Sequence, residues 1–137
     1  MLILDTHIWI WLLTGEERLE KSGLLPKIVG SAKKSAVYIS AISLWETAML
    51  IQRGRISVLE NTGVWFQSAL SAPGISVLPL TADISIESTS LPGSFHEDPA
   101  DQIIVATARL HDAWLVTADQ KIIRYAEEGH LRLLAAA

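Results

Sequence analysis

Short apolar runs alternate along this chain with longer stretches in which apolar and polar residues recur at helical spacing. Runs that are apolar throughout are typical of strands buried on both faces, and the mixed stretches are typical of helices that cover a sheet. The apolar runs predict strands over residues 2–4, 36–40, 75–80, 114–117 and 131–134. Because helical patterns separate these strands, we expect βαβ units and an α/β fold with a mostly parallel sheet of about five strands.

Polar residues, prolines and glycines indicate where the helices begin and end. Ser43 and Glu46 have the spacing of a capping box, which predicts a helix that starts at Ser43 and stops at Gly54. Asp98 precedes Pro99, which predicts an N-cap followed by a proline at the first helical position. The expected helices cover residues 8–13, one or two segments of 16–35, and residues 43–53, 62–71, 81–91, 99–111 and 119–128.

The first predicted helix is apolar on every side from Ile8 to Leu13. One apolar face is sufficient for packing on a sheet, so we expect the opposite face to contact a second chain. The alternative is a helix buried entirely within its own domain, which is rare in a domain of 137 residues. The two interpretations differ in the exposure that they predict for the outer side chains of this helix.

The chain length of 137 residues predicts a single domain, 1–137, with a sizeable core. Half of the residues are hydrophobic, yet no apolar stretch is long enough for a membrane span and the first residues lack the basic segment of a signal peptide. The absence of cysteine excludes disulfides and is consistent with a cytoplasmic protein. The net charge of −4 argues mildly against a nucleic-acid binder, although carboxylates that hold a metal ion would account for part of it.

Four acidic residues stand beside the apolar runs. Asp5 follows the first run, Glu46 comes shortly after the second, and Asp101 opens a later run. Asp119 follows the fourth strand, and Asp98 lies three residues before Asp101 on the same side of a helix start. If the strands are parallel, these carboxylates converge at the carboxyl edge of the sheet, where open α/β sheets bind their ligands.

Each acid also has a simple structural explanation. Asp5, Asp98 and Asp119 precede helices and suit N-caps, whereas Glu46 suits the third position of a capping box. Four such roles, all at the carboxyl ends of strands, are a less economical explanation than one shared site. Clustered carboxylates repel one another unless a cation lies among them, and oxygen ligands in a chain without cysteine favour Mg²⁺ or Mn²⁺. The pattern therefore predicts a metal-dependent hydrolase.

Hydroxyl and imidazole groups adjoin these acids. Thr6, Ser43 and Thr117 are candidates for holding metal-bound water, with helix capping as the alternative. His7 and His96 also lie near the acids in sequence, and we expect structural roles for both because metal-bound water needs no histidine base.

Four ordered segments make the pattern recognisable. They are Asp5-Thr6-His7, then Ser43-Leu44-Trp45-Glu46, then residues 96–108, which begin His-Glu-Asp-Pro-Ala-Asp, and finally residues 115–119. In this order, and over essentially the whole chain, they resemble PIN-domain ribonucleases, and within that superfamily the VapC-type toxins of bacterial toxin–antitoxin pairs. Each motif is short, and the specificity lies in the ordered set.

The resemblance implies a three-layer α/β/α sandwich and a Mg²⁺- or Mn²⁺-dependent endoribonuclease. By position, it assigns catalytic and metal-binding roles to Asp5, Glu46, Asp101 and Asp119. Asp98 matches an additional acid, which we expect to cap a helix first and to bind metal second.

The resemblance also implies partners. They are an RNA substrate and a cognate antitoxin that lies in a groove and blocks the active site. The apolar first helix itself predicts a homodimer, an antitoxin segment in a groove, or both. Related sequences often carry a basic residue after the third acid, whereas this chain has Gln102, so a phosphate contact at that position is not expected. Basic residues that remain candidates for RNA contact, although most such charges are simply solvated, are Lys33, Lys34, Arg53, Arg55, Lys121 and Arg124.

Three other interpretations compete with the ribonuclease. A haloacid-dehalogenase-type phosphotransferase needs a second aspartate two positions after the first, where this chain has His7. A receiver domain needs a lysine after a late strand, and none follows the fourth strand directly. A catalytically degenerate PIN fold that serves only as a binding platform is disfavoured because all four acids are present. Metal-dependent RNA cleavage distinguishes the last alternative from the enzyme.

Overall fold

The computed structural model describes residues 1–137 and contains five strands and eight helices. The strands are β1 (Leu2–Leu4), β2 (Val37–Ser40), β3 (Ile75–Leu78), β4 (Trp114–Thr117) and β5 (Leu133–Ala135). The helices are α1 (Thr6–Thr14), α2 (Glu17–Lys21), α3 (Leu25–Lys33), α4 (Ala41–Gln52), α5 (Thr62–Ala69), α6 (Ala82–Ser88), α7 (Pro99–Leu110) and α8 (Gln120–Glu127).

The five strands form one sheet in the order β3-β2-β1-β4-β5, and every neighbouring pair is parallel. In the register of the sheet, Leu4 of β1 lies beside Ile39 of β2 and beside Val116 of β4. The chain builds outward from β1 in one direction with β2 and β3, and in the other with β4 and β5. The strand order therefore reverses between β1 and β4, which is where open parallel sheets leave a ligand crevice at their carboxyl edge.

Side chains of the central strands alternate between two cores. Leu4 packs on one face of the sheet with Trp9 of α1, in a cluster that also includes buried residues of α2, α3 and α5. Ile3 points to the opposite face and packs with Ile104 of α7 and Ile122 of α8. Helices on both faces make a three-layer α/β/α sandwich, so the predicted fold class is confirmed.

The start of α4 differs from the capping-box prediction, which is wrong. The helix begins at Ala41, and the Ser40 hydroxyl accepts a hydrogen bond from the backbone N–H of Ile42 at 3.2 Å. Ser43 is fully buried inside the first turn, where its hydroxyl contacts a side chain of α1. Both serines suit an N-cap by residue type, and the packing of α4 against α1 selects between them.

Two strands differ in their limits from the sequence prediction. β3 ends at Leu78, two residues before the predicted end, because Pro79 has no backbone N–H for the ladder. β5 covers Leu133–Ala135 and so lies one to two residues later than predicted. The predicted stretch 16–35 contains two helices, α2 and α3, with Pro26 in the first turn of α3.

The α1 helix is covered by its own domain on most sides. Ile8, Trp9 and Ile10 are buried, and the remaining apolar side chains through Leu13 are half-buried against the same core. This burial favours the interpretation in which the domain itself covers most of the helix, and a partner surface here is smaller than the apolar sequence suggests. None of the eight helices combines the length and the apolar character that a membrane span requires.

Candidate active site

The candidate acids converge at the point where the strand order reverses. Asp5 directly follows β1 and Asp119 comes two residues after β4, its neighbour in the sheet. Glu46 lies in the second turn of α4, which follows β2, and Asp101 lies in the first turn of α7. Parallel strands place these starts of helices along one edge, so the sequence spacing becomes a spatial cluster.

Asp5 is almost completely enclosed, with 3% of its surface exposed. Its Oδ1 accepts a hydrogen bond from the backbone N–H of Thr6 at 2.8 Å, which caps α1. Its Oδ2 accepts one from the hydroxyl of Thr117 at 2.7 Å, and that hydroxyl in turn accepts the backbone N–H of Asp119 at 3.0 Å. The carboxylate is thus fixed from both sides of the crevice.

Burial raises the pKa of Asp5 above its ordinary value. The His7 ring and hydrogen bonds from Thr117 and Thr6 oppose this effect, while the charge of Asp119 adds to it. His7 reaches the site from α1: its Nδ1 lies 3.6 Å from Asp5 Oδ2, and its Nε2 accepts the backbone N–H of Ala118 at 3.0 Å. This histidine therefore joins the carboxyl ends of β1 and β4, in agreement with the structural role expected for it.

Glu46 is held by a pair of hydroxyls. The Thr6 hydroxyl donates to Glu46 Oε1 at 2.5 Å, and the hydroxyls of Thr6 and Ser43 lie 2.8 Å apart. Because the single proton of Thr6 goes to Glu46, Ser43 donates to Thr6. Burial is the largest cause that raises the pKa of Glu46, to about 7, and the nearby Asp5 and other acids add to it.

Asp101 is held by an imidazole. The Nε2 atom of His96 lies 2.7 Å from Asp101 Oδ2, and the backbone carbonyl of His96 accepts the side-chain amide of Gln102 at 3.2 Å. The Phe95 ring stacks on the His96 ring at a centroid distance of 4.2 Å. Burial raises the pKa of Asp101 to about 6, opposed by His96 and assisted by the charge of Asp5.

Asp98 and Asp119 each cap a helix through one oxygen. Asp98 Oδ1 accepts the backbone N–H of Asp101 at 3.1 Å, and Asp119 Oδ1 accepts the N–H groups of Lys121 and Ile122 at 2.8 and 3.3 Å. Both acids line an open groove of about 450 Å³ together with Asp101, and no hydrophobic residue lines it. Asp98 and Asp119 can therefore cap a helix and also belong to the acidic cluster, because the second carboxylate oxygen of each remains available to a ligand.

The acids interact with one another as a group. Repulsion from Asp5, Asp101 and Asp98 raises the pKa of Glu46, and repulsion from Asp119 raises the pKa of Asp5. No three carboxylate or imidazole groups form a ready-made metal cage. The donor set nevertheless fits a hard divalent cation, because it consists of carboxylate oxygens whose mutual repulsion a cation relieves, and Mg²⁺ commonly takes one or two carboxylates and keeps its waters.

The roles of the hydroxyl groups were not visible in the sequence. Thr6, Ser43 and Thr117 suggested water ligands or helix caps, whereas in the structure each hydroxyl belongs to a hydrogen-bonded chain that ends on a carboxylate. The sequence offered one signal for this role: each of these residues lies close to an acid and near the end of a strand or in the first turn of a helix. His96 was placed near the acids by sequence, but its contact with Asp101 depends on the fold of the loop before α7.

The fold and the site define an α/β domain with an acidic crevice at the reversal of its strand order. The sequence matches the PIN domain over residues 2–128, and the chain belongs to this family. The family resemblance read from the sequence motifs is thereby confirmed.

One related protein and two solved structures are similar to this chain over most of its length. Ribonuclease VapC22 of Mycobacterium tuberculosis (strain ATCC 25618 / H37Rv) is 32% identical over 120 residues, which cover 88% of this chain and 88% of that protein. A solved toxin–antitoxin complex from Klebsiella pneumoniae matches with a TM-score of 0.68 and 20% identity over 100% of this chain and 98% of its own. VapBC2 from Rickettsia felis, bound to a promoter DNA fragment, matches with a TM-score of 0.67 and 19% identity over 98% and 97% of the two chains. At these identities, the solved structures establish the shared fold.

Proposed function

We propose that this chain is a VapC-type endoribonuclease toxin, which hydrolyses RNA phosphodiester bonds at the carboxylate cluster and is inhibited by a cognate antitoxin. The observation that carries the proposal is the group of acids at the crevice of a PIN domain, in which Asp5 is buried and Glu46 and Asp101 are half-buried. A relative that is named a ribonuclease and aligns with 88% of the chain supports the same reaction.

We assign Asp5, Glu46, Asp101 and Asp119 as the catalytic and metal-holding residues, with Asp98 as an additional ligand. The proposed ion is Mg²⁺ or Mn²⁺, which suits an all-oxygen donor set. When bound, such an ion polarises a phosphodiester and increases the acidity of a water molecule. The raised pKa values of Glu46 and Asp101 arise first from burial and then from repulsion by neighbouring acids, and a cation bound to the carboxylates would offset both, which supports the assignment.

The chain's own residues prepare this site for the reaction. Thr117 and the backbone of Thr6 fix both oxygens of Asp5, and the paired hydroxyls of Thr6 and Ser43 hold Glu46. His96 orients Asp101 and partly offsets its charge. These contacts place the carboxylates before substrate arrives, so less reorganisation is needed during the reaction.

Antitoxin binding and a homodimer complete the proposal. The structurally similar proteins described above include a toxin–antitoxin complex, which supports an antitoxin partner for this chain. We propose that this partner blocks the acidic crevice. Size-exclusion chromatography of the purified chain, alone and mixed with the small protein encoded beside it, tests both partners. A chain that elutes as a monomer and does not bind that small protein contradicts this part of the proposal.

Isosteric removal of a charge tests the catalytic assignment. We expect Asp5→Asn and Asp101→Asn each to lower RNA cleavage at least ~100-fold while the protein stays folded, because each loses a metal-holding carboxylate. Cleavage of a panel of transfer and ribosomal RNAs, with Mg²⁺ or Mn²⁺ and with EDTA, is the measurement. Asp112→Asn is the matched control, since Asp112 is exposed at the opposite edge of the sheet, just before β4.

The outcomes separate the parts of the proposal. Undiminished cleavage by well-folded Asp5→Asn and Asp101→Asn variants overturns the site assignment. Cleavage that persists in EDTA contradicts the metal requirement. If the wild-type chain cuts no RNA under any of these conditions, the alternative of a non-catalytic binding platform is preferred.

A further inference from the structure

Two cations of α8 stand beside the acidic cluster without neutralising it. Lys121 and Arg124 lie three residues apart, so they project from the same side of this helix. Both side chains are exposed, and neither forms an ion pair with any acid. The nearest acid in sequence, Asp119, uses its Oδ1 to accept the backbone N–H of Lys121, so it caps the helix rather than pairing with the ammonium group.

These cations line a groove that leads into the carboxylates. The cavity of about 450 Å³ has Lys121 and Arg124 among its lining residues, together with Asp101 and Asp119. A second cavity of about 320 Å³ shares His96, Lys121 and Arg124 with the first, so the two form one continuous path along α8. The part nearest the acids has no hydrophobic lining residue, which disfavours an apolar protein segment as its occupant.

A nucleic acid that reaches this site meets an electrostatic barrier. The chain carries a net charge of −4, and the acids at the crevice concentrate negative charge where a phosphodiester has to bind. Gln102, which stands next to Asp101, carries no charge, and one N–H of its amide is bonded to the carbonyl of His96. The free cations of α8 are therefore well placed to attract a phosphate next to the acids.

We propose that Lys121 and Arg124 bind backbone phosphates of the RNA substrate adjacent to the bond that is cleaved, so that the strand enters the carboxylate site along α8. This inference rests on the proposed ribonuclease function and adds the path of the substrate to it. Contacts of this kind go to the sugar–phosphate backbone, so they contribute affinity that is independent of sequence. Lys121 and Arg124 are thus substrate-binding residues, whereas the acids carry the reaction.

Binding of a single-stranded RNA of mixed sequence, about 12 nucleotides long, tests the proposal. Fluorescence anisotropy is measured in EDTA, where no cleavage occurs under the proposed mechanism, over a range of salt concentrations. We expect Lys121→Gln/Arg124→Gln to lower the affinity about 10- to 30-fold near ~0.1 M salt and to reduce the slope of log K against log salt by about 1.4, since two phosphate contacts are lost. The charge-preserving Lys121→Arg/Arg124→Lys variant should bind as the wild type does.

Lys33→Gln/Lys34→Gln is the matched control, because the structure places these two candidates for RNA contact away from the carboxylate cluster. It removes the same two positive charges from exposed positions just before β2, at the opposite edge of the sheet. If both glutamine variants weaken RNA binding equally, net charge alone governs binding and the inference is overturned. If neither variant weakens it, Lys121 and Arg124 do not contribute to RNA binding and the inference is overturned as well. It is also overturned if Lys121→Gln/Arg124→Gln binds RNA normally but loses affinity for the antitoxin.

RNA affinity and RNA cleavage, measured on the wild type and on Lys121→Gln/Arg124→Gln, distinguish a failure of this inference from a failure of the proposed function. If the wild type cleaves RNA and the α8 variant has normal affinity and normal cleavage, the function stands and the substrate path is wrong. If the wild type neither binds nor cleaves RNA, the proposed function fails and this inference fails with it.

Discussion

At the scale of single residues, Asp5 shows how one side chain serves structure and site together. Each of its oxygens accepts one hydrogen bond, from Thr6 on one side and Thr117 on the other. A carboxylate offers about four acceptor positions, so both oxygens keep capacity for a cation. The N-cap expected from the sequence and the metal ligand expected from the site are therefore compatible roles of the same group.

The hydroxyl of Thr117 gives a residue-scale prediction. Thr117→Val keeps the shape of this buried side chain but removes the donor to Asp5 and the acceptor for the N–H of Asp119. We expect RNA cleavage to fall about 10- to 100-fold, as when other groups that orient metal ligands are removed. We also expect a loss of about 1–2 kcal/mol in the free energy of unfolding, because the half-buried N–H of Asp119 loses its partner.

Thr107→Val is the control for this substitution. Thr107 is equally buried, and its hydroxyl donates to the carbonyl of Ile103 within α7, away from the acids. Loss of this hydrogen bond should lower the free energy of unfolding but leave the rate of RNA cleavage as in the wild type. Equal cleavage rates in the two valine variants would show that the Thr117 hydroxyl does not act on the site.

At the scale of the elements, α4 separates the capping of a helix from the support of a carboxylate. Ser40 caps the helix, whereas Ser43, one turn further, reaches across to Thr6 of α1 and through it to Glu46. The two serines have the same side chain and similar burial, so they form a natural comparison. The position of α4 on the sheet, rather than the residue type, determines which serine caps the helix and which one supports Glu46.

Alanine substitutions in α4 test this division. Ser40→Ala should lower the free energy of unfolding by about 1 kcal/mol, the usual value of an N-cap, with cleavage close to that of the wild type. Ser43→Ala should lower cleavage about 10-fold, because Thr6 loses the hydrogen bond that orients it toward Glu46. Urea unfolding and RNA cleavage are measured on both, and the reverse pattern of effects contradicts the assignment.

Elements and their order were predictable from the sequence, because a buried parallel strand and a covering helix leave different hydrophobic patterns. The convergence of Asp5 and Asp119 was predictable as well, because both follow apolar runs that pair in a parallel sheet. The choice between Ser40 and Ser43 was not, since it depends on how α4 packs on α1. The donors to the carboxylates were unpredictable for the same reason, and the assignment of the metal ligands stays a prediction.

At the scale of the whole molecule, the acidic site opposes folding when no cation is present. The pKa of Glu46 rises from 4.5 to about 7 on folding, and that of Asp101 from 3.8 to about 6. A carboxyl whose pKa is raised in the folded state stabilises the fold only while it is protonated. The contribution is complete below the unfolded-state pKa and is lost as the pH rises through the folded-state value.

Metal-free protein should therefore become less stable as the pH rises from about 4 to about 7. In EDTA, we expect Glu46→Gln to gain stability relative to the wild type between about pH 5 and about pH 8, by about 1–2 kcal/mol after allowance for partial screening of this half-buried group. Chemical unfolding at several pH values is the measurement. Glu60→Gln, which changes an exposed residue, should show no such trend.

A divalent cation should reverse this effect. Mg²⁺ or Mn²⁺ that binds the folded state raises the midpoint of thermal unfolding, and the increase should be larger at about pH 8 than at about pH 5 because the ligands are then ionised. The Asp101→Asn variant should show a smaller increase than the wild type. An increase that is the same at both pH values, or unaffected by this substitution, argues against ion binding at these acids.

The pairing of β1 with β4 also has a consequence for synthesis in the cell. Asp5 leaves the ribosome before its partner Thr117, which lies 112 positions later in the chain. Until β4 and the two residues that follow it have been made, a nascent chain holds Asp5 without the hydroxyl that orients it and without Asp119. A ribosome that stalls, or a message cut within the gene, thus releases fragments in which the acidic cluster is incomplete. Because β1 pairs with β4 inside the sheet, the acidic cluster is complete only after β4 and the residues that follow it have been synthesised.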